Sequence, residues 1–212
     1  MLPRGAPLPR AFYDRETERV ARELLGAVLE CETAEGVASG RIVETEAYLG
    51  EHDAACHAAV GETTRTRALY GPPGTAYVYF IYGMYWCFNA VTRAAGLPSA
   101  VLVRALEPLD GVELMRRRRP RVRHERDLTN GPGKLCQALG IDGRLNGLPL
   151  DASSPLRVRR GAPVADGRVL VTPRIGITRA ADWPLRWLVR DSAYVSKTPA
   201  HFTSRPLVGG VR

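Results

Sequence analysis

Lysine is nearly missing from this chain. Among 30 basic residues in 212, only Lys134 and Lys197 are lysines; the rest are arginine. That scarcity narrows the covalent chemistry available, because a Schiff base needs an amine. Cysteine is sparse too. Cys31, Cys56, Cys87 and Cys136 form no CxxC pair and no zinc spacing, so reduced thiols are expected, with no metal and no cofactor. No apolar run approaches the length of a bilayer span, and "MLPRGAPLPRAF" lacks the apolar core of a secretion signal. A cytosolic protein without membrane contact is therefore expected. No repeat or low-complexity linker interrupts the sequence. Its length suits one domain over 1–212, with 1–9 read as a flexible tail.

Positive charge is abundant. The net charge is +8 and the pI about 9.7, which favours a polyanionic partner. "RRRRPRVRHER", residues 116–126, holds seven arginines. It reads as a mobile loop that attracts phosphates without reading sequence.

The apolar pattern outlines the elements. Asp14 is placed to cap a helix through Leu25 that Gly26 stops. "AVLECE" and "GRIVETEAYL" form a hairpin turning at Ala34-Glu35-Gly36. "TAYVYFIYGMYWCFNAV" gives two strands about Gly83, and "SAVLVRAL" another. A helix from Asp110 into the arginines should end at Pro120. "NGPGKLCQALG" carries a cap at Asn130, Pro132 in the first turn and Gly140 as the stop. "RVLVTPRIGIT" and "LRWLVRD" are late strands. Hairpin-linked strands outnumber helices. The expected fold is a single mixed α/β (α+β) domain on a largely antiparallel, curved sheet with a protruding β-hairpin.

Three clusters stand out against that frame. In "GRIVETEAYLG" a strand would place Val43, Thr45, Ala47 and Leu49 on one face and Ile42, Glu44, Glu46 and Tyr48 on the other. The second face is either wet or the lining of a site. Residues 77–88 hold seven of the fifteen aromatics. A core hairpin explains most of them, but Tyr82 beside Gly83 falls at the tip, where a bulky ring suits a wedge that enters a base stack. A two-residue turn at Tyr82-Gly83 would pair Tyr79 with Trp86 and put Asn89 on the opposite face, whereas a three-residue loop, Tyr82-Gly83-Met84, would pair Tyr79 with Cys87 and Tyr77 with Asn89 and put Tyr79 and Asn89 on one face. In "DAACHAA", His57 lies four residues after Asp53, a spacing for helical contact.

Those residues leave three readings open: a DNA-acting enzyme, a DNA-binding protein that would not need Glu46, and a metal-dependent nuclease built on Glu44, Glu46 and Asp53 with His57 nearby. Arg104 weighs against the metal if "VLVRAL" pairs alongside, because a cation displaces one.

"RIVETEAYLGEHDAACH", "GTAYVYFIYGMYWCFNAV", "VLVRALEPLDG" and "NGPGKLCQALGI", followed by "RIGIT" and "PLRWLVR", together resemble the alkyladenine (3-methyladenine) DNA glycosylases of the mammalian type. The resemblance runs in unbroken order over roughly residues 10–200. It implies a base-excision-repair enzyme that flips alkylated or deaminated purines out of double-stranded DNA and hydrolyses the glycosidic bond. It implies Glu46 as the group that activates water and Arg104 as a partner holding that water. Tyr48, His57 and Tyr79 would wall the base pocket, with Asn89 as gatekeeper and Ile175 contributing backbone. Tyr82 would be the intercalating wedge and Lys134 a phosphate contact. No lyase activity, a monomer, and residence with DNA in the bacterial cytoplasm or a nucleus are expected. Glu44 is left between two places, behind the site or at its rim.

Overall fold

The computed structural model describes residues 5–197 and the backbone of Arg205–Pro206. In chain order the elements are α1 (Arg10–Tyr13), α2 (Thr17–Glu23), β1 (Val28–Thr33), β2 (Gly36–Tyr48), β3 (Ala76–Ile81), β4 (Tyr85–Thr92), β5 (Ser99–Asp110), α3 (Val112–Arg118), α4 (Pro132–Leu139), β6 (Leu156–Arg159), β7 (Val169–Thr172), β8 (Arg186–Val189) and β9 (Arg205–Pro206). The sheet order is β3-β4-β5-β2-β8-β7-β9, with β1 pairing β2 and β6, and each described pairing is antiparallel. This is the single mixed α/β domain on an antiparallel sheet that the hairpin-rich sequence predicts.

β2 and β5 form the spine, and their pairing is irregular where the site lies. The register shifts between Ile42 and Glu44 and again between Glu44 and Thr45. Bulges of this kind bend a sheet and re-aim side chains. Beyond them Thr45 and Ala47 face α2: the Thr45 hydroxyl donates to the Ala21 carbonyl at 2.9 Å, and Ala47 joins the main core. Glu46 and Tyr48 therefore point to the opposite side. Simple alternation placed Ile42 beside them, and this is corrected. The irregularity turns Ile42 into the main core, between backbone bonds to Gly26 and Ala27.

Other local expectations also shift. Asp14 does not cap the first long helix; it ends α1, and α2 starts three residues later after Glu16. That helix ends at Glu23 with Leu24 as its C-cap, two residues short of the expected end, and Gly26 turns the chain after it with φ at +89°, a conformation glycine adopts without strain. Asn130 does not cap α4 either. Its amide nitrogen donates to Asp127 and its oxygen accepts from Lys134, so Gly131 takes the cap position and Pro132 opens the helix. The arginine-rich run is built into the fold rather than loose. It begins as the end of α3, where Arg118 donates to Glu35, Thr33 and the Ala138 carbonyl. Arg119 donates to the carbonyls of Asp127 and Leu128. Arg117, Arg121, Arg123 and Arg126 stay exposed. The tail expected over 1–9 is corrected for its described part: the Leu8 amide donates to the Val158 carbonyl at 2.8 Å and its side chain is buried in the core. Residues 1–4 of that tail lie outside the described residues.

Candidate active site

Arg104, projecting from β5, bridges two carboxylates of β2. Its Nε donates to Glu44 at 3.0 Å and its Nη1 to Glu46 at 3.2 Å. Glu44 and Glu46 are fully buried. Each carboxylate has further donors. Glu46 accepts from the Tyr48 hydroxyl at 3.0 Å and from the Ile175 amide at 2.7 Å. Glu44 accepts from Arg186 Nε at 2.7 Å and from the Ser196 amide and hydroxyl, each at 2.7 Å. Burial pushes the Glu44 carboxyl upward, but Arg104, Arg186 and Ser196 outweigh it and hold it below the ordinary carboxylate range. Burial opposes the charge of Arg104, and the two glutamates more than restore it.

In front of this layer opens a cavity of about 360 Å³. Tyr48, His57, Tyr77, Tyr79, Cys87 and Asn89 are among its walls. The His57 ring meets Tyr79 edge-on at 4.4 Å between centroids, and Tyr79 lies 5.3 Å from Tyr77. His57 Nδ1 and the Tyr77 hydroxyl are 2.9 Å apart. Burial, helped by Arg65, lowers the His57 pKa, which favours the neutral imidazole. Burial raises Tyr48 and Tyr79 well above the ordinary phenol value, so both keep their protons. The cavity is thus an aromatic slot with hydrogen-bonding edges, suited to a flat, polar heterocycle.

The hairpin supplies its outer rim. Ile81 pairs with Tyr85, Tyr79 with Cys87 and Tyr77 with Asn89, which is the register of the three-residue loop. Tyr79 and Asn89 share the cavity face accordingly. At the tip Tyr82 adopts φ +54° and is 77% exposed, and Met84 is 63% exposed. A large non-glycine residue held at positive φ and in water is uncommon and is a pointer to function.

The structure brings most of the sequence-derived site residues together. Tyr48, His57, Tyr79, Tyr82, Asn89, Arg104 and Ile175 line the cavity. Glu46 lies one layer behind them, bonded to three lining groups: Tyr48, Arg104 and the Ile175 amide. Lys134 is outside the lining, on the helix whose first residues, Pro132 and Gly133, complete it. One expected contact fails. Asp53 does not meet His57, because His57 opens a separate 3-10 turn over His57–Val60 while Asp53 closes a turn of its own. Asp53 instead takes both terminal nitrogens of Arg174, with Nη2 at 2.8 Å. The ligand set of the nuclease reading is therefore split. Glu44 and Glu46 share Arg104, Asp53 belongs to Arg174, and among the described residues no three His, Cys, Asp or Glu converge on one point.

A family model described as methylpurine-DNA glycosylase matches residues 11–193. The chain belongs to the methylpurine-DNA glycosylase family. It is a base-excision-repair DNA glycosylase. Relatives provisionally named 3-methyladenine DNA glycosylases include one from Myxococcus xanthus, 50% identical over 94% of this chain and 98% of its own. Another, from Methanocella arvoryzae, is 49% identical over 90% of this chain and 96% of its own.

Two arginines of the glycosylase site escaped the sequence reading. Arg174, fully buried, stacks its guanidinium 4.7 Å from the Tyr48 ring centre while it binds Asp53 and the Ala47 carbonyl. Arg186 holds Glu44 and also donates to the Thr172 hydroxyl at 3.0 Å. A signal for both was present. Three buried carboxylates in a segment without lysine require cations from elsewhere, and "PRIG" and "LRWLV" each set one arginine among apolar neighbours.

Proposed function

We propose that the glycosylase removes alkylated or deaminated purines from duplex DNA by flipping the nucleotide into the aromatic slot and hydrolysing its glycosidic bond. Glu46 takes the proton of the attacking water, and its carboxylate stabilises the cation-like sugar that forms as the base leaves. Arg104 helps hold that water, and Ile175 fixes the carboxylate through its amide. Tyr48, His57 and Tyr79 embrace the base, which a positively charged alkylpurine would find especially favourable against electron-rich rings. Asn89 screens the base edge. Tyr82 fills the gap left in the stack, and Lys134 contacts a phosphate.

The observation that carries this reading is the stacked order of the site: an aromatic slot, and immediately behind it a buried carboxylate bonded to three of the slot's own lining groups. The reaction ends at the abasic site. Strand cleavage would need an amine, and neither Lys134 nor Lys197 lines the cavity. The enzyme acts as a monomer, which sedimentation would check, and it works where the DNA is, in a bacterial cytoplasm or a nucleus.

Duplex DNA containing one hypoxanthine or ethenoadenine tests the proposal. In EDTA it should accumulate sites that break only on treatment with alkali. Intact strands after alkali would overturn the proposal. Breakage before alkali, or a borohydride-trapped protein–DNA adduct, would overturn the absence of lyase activity.

A further inference from the structure

Glu44 is as buried as Glu46, carries more bonds, and is not itself among the residues that line the cavity. A carboxylate in that position is costly unless its partners need it. Its partners come from separate parts of the chain. Arg104 reaches it from β5, Arg186 from β8, and Ser196 from the segment that follows β8. Arg186 is also the backbone partner of Glu46 across β2 and β8. Arg104 is shared: Nε goes to Glu44 and Nη1 to Glu46. A guanidinium held at its Nε by a fixed carboxylate has its plane and reach set before any substrate arrives.

We propose that Glu44 is a positioning residue of the reaction: it captures Arg104 through Nε, so that the guanidinium spans both carboxylates and its positive charge does not rest on Glu46 alone. The inference rests on Glu46 being the base. Without Glu44, Arg104 would turn wholly to Glu46 and clamp the group that must accept a proton. The other groups that face Glu46 would remain. They are the Ile175 amide, Tyr48 on its own strand, Arg174, and Tyr79 on β3. Of these only Arg174 is charged, and Asp53 already neutralises it.

The test is the pH profile of single-turnover excision, set beside thermal unfolding of each variant. Glu44→Gln removes one negative charge next to Glu46, so the acid limb should move to lower pH by about 1 unit, the usual effect of one nearby charge. The plateau rate should fall as well. Glu44→Asp keeps the charge and should leave the limb where wild type has it, with a lower plateau because the shorter side chain draws Arg104 back. If Glu44→Gln does not fold, the pair Glu44→Gln with Arg186→Gln removes both charges together and carries the test, with a smaller displacement in the same direction. A limb that stays at the wild-type pH in a folded Glu44→Gln or paired variant would overturn the proposal and assign Glu44 to stability alone. A Glu46→Gln enzyme that keeps its activity and its acid limb would overturn the prior reading of Glu46 instead, so the two failures are separable.

Discussion

At the back of the cavity, all four carboxylate oxygens of Glu44 and Glu46 have partners, and arginines reach them from strands far apart in sequence. At the end of the hairpin, three and five residues beyond Tyr79 of β3, Tyr82 and Met84 stand mostly in water. The first region is over-determined: each charge is held by several others, so chemistry and stability are bound together there. The second region is held by almost nothing except its turn, so its residues are free to serve DNA. One region should therefore answer mutation in folding and rate, and the other in binding alone.

The largest effect expected is at Asp53. Asp53→Asn leaves Arg174 buried without its counter-ion, and breaking a buried pair costs about 3–5 kcal/mol. A melting temperature close to wild type would dissolve the contrast at its strong end. Acid adds a sharper form of the same test. Burial raises the Asp53 carboxyl, but Arg174 and the amides of Leu49 and Ala55 overcome this and hold it below its ordinary range. A carboxyl held low in the folded state contributes stability above its unfolded value of about 4, and loses it as pH falls through the folded value. Glu44, held low in the same sense, adds to this. Wild type should therefore melt progressively earlier below about pH 4, and Asp53→Asn should flatten that decline.

The intermediate effect belongs to the tip. Tyr82→Ser should weaken binding to a duplex with a flipped base by about 1–3 kcal/mol, the scale of one base–aromatic stack. Its melting temperature should stay near wild type, because a side chain 77% exposed buries little on folding. A large thermal loss would mean that the tip is structural and the contrast false.

The smallest effect lies between the two regions, at Asn89. Its amide donates to the Tyr77 carbonyl at 3.2 Å, and its side chain lines the cavity on the same side as Tyr79. On the proposed reading, an amide there would crowd the 2-amino group that guanine carries and adenine lacks. Asn89→Ser should shift the ratio of guanine-type to adenine-type excision by about 1 kcal/mol, the low end for one group in a pocket. Ethenoadenine excision should change little. An unchanged ratio would remove Asn89 from base selection.

The two regions also differed in how far the sequence disclosed them. The hairpin was readable as two strands about one glycine, but periodicity left two registers open, and only the resemblance, which puts Tyr79 and Asn89 in one pocket, favoured the three-residue loop that is found. The carboxylates of β2 were readable as unusual, and Arg104 was placed beside them, but their other cations were not readable. Arg174 and Arg186 arrive from more than 120 residues away, and only the sheet order β5-β2-β8 brings them in. The bulges beside Glu44 were invisible too, since they depend on how β2 and β5 pair, and they turned Ile42 to the face opposite the one alternation gave it. Asp53 and His57 show the reverse error. A spacing of four means contact only on a continuous helix, and the chain is a turn followed by a 3-10 turn.

The account stands or falls on Glu46, and the direct measurement is Glu46→Gln assayed twice on one substrate. Single-turnover excision of ethenoadenine from duplex DNA gives the rate, and titration of the same duplex gives the affinity. The variant keeps the shape of the side chain and loses its charge. Excision should fall by at least ~10²-fold, the scale of lost general-base help, while affinity for the lesion duplex stays near wild type. Excision within a few-fold of wild type would contradict the assignment and, with it, the function given to the buried charges behind the cavity.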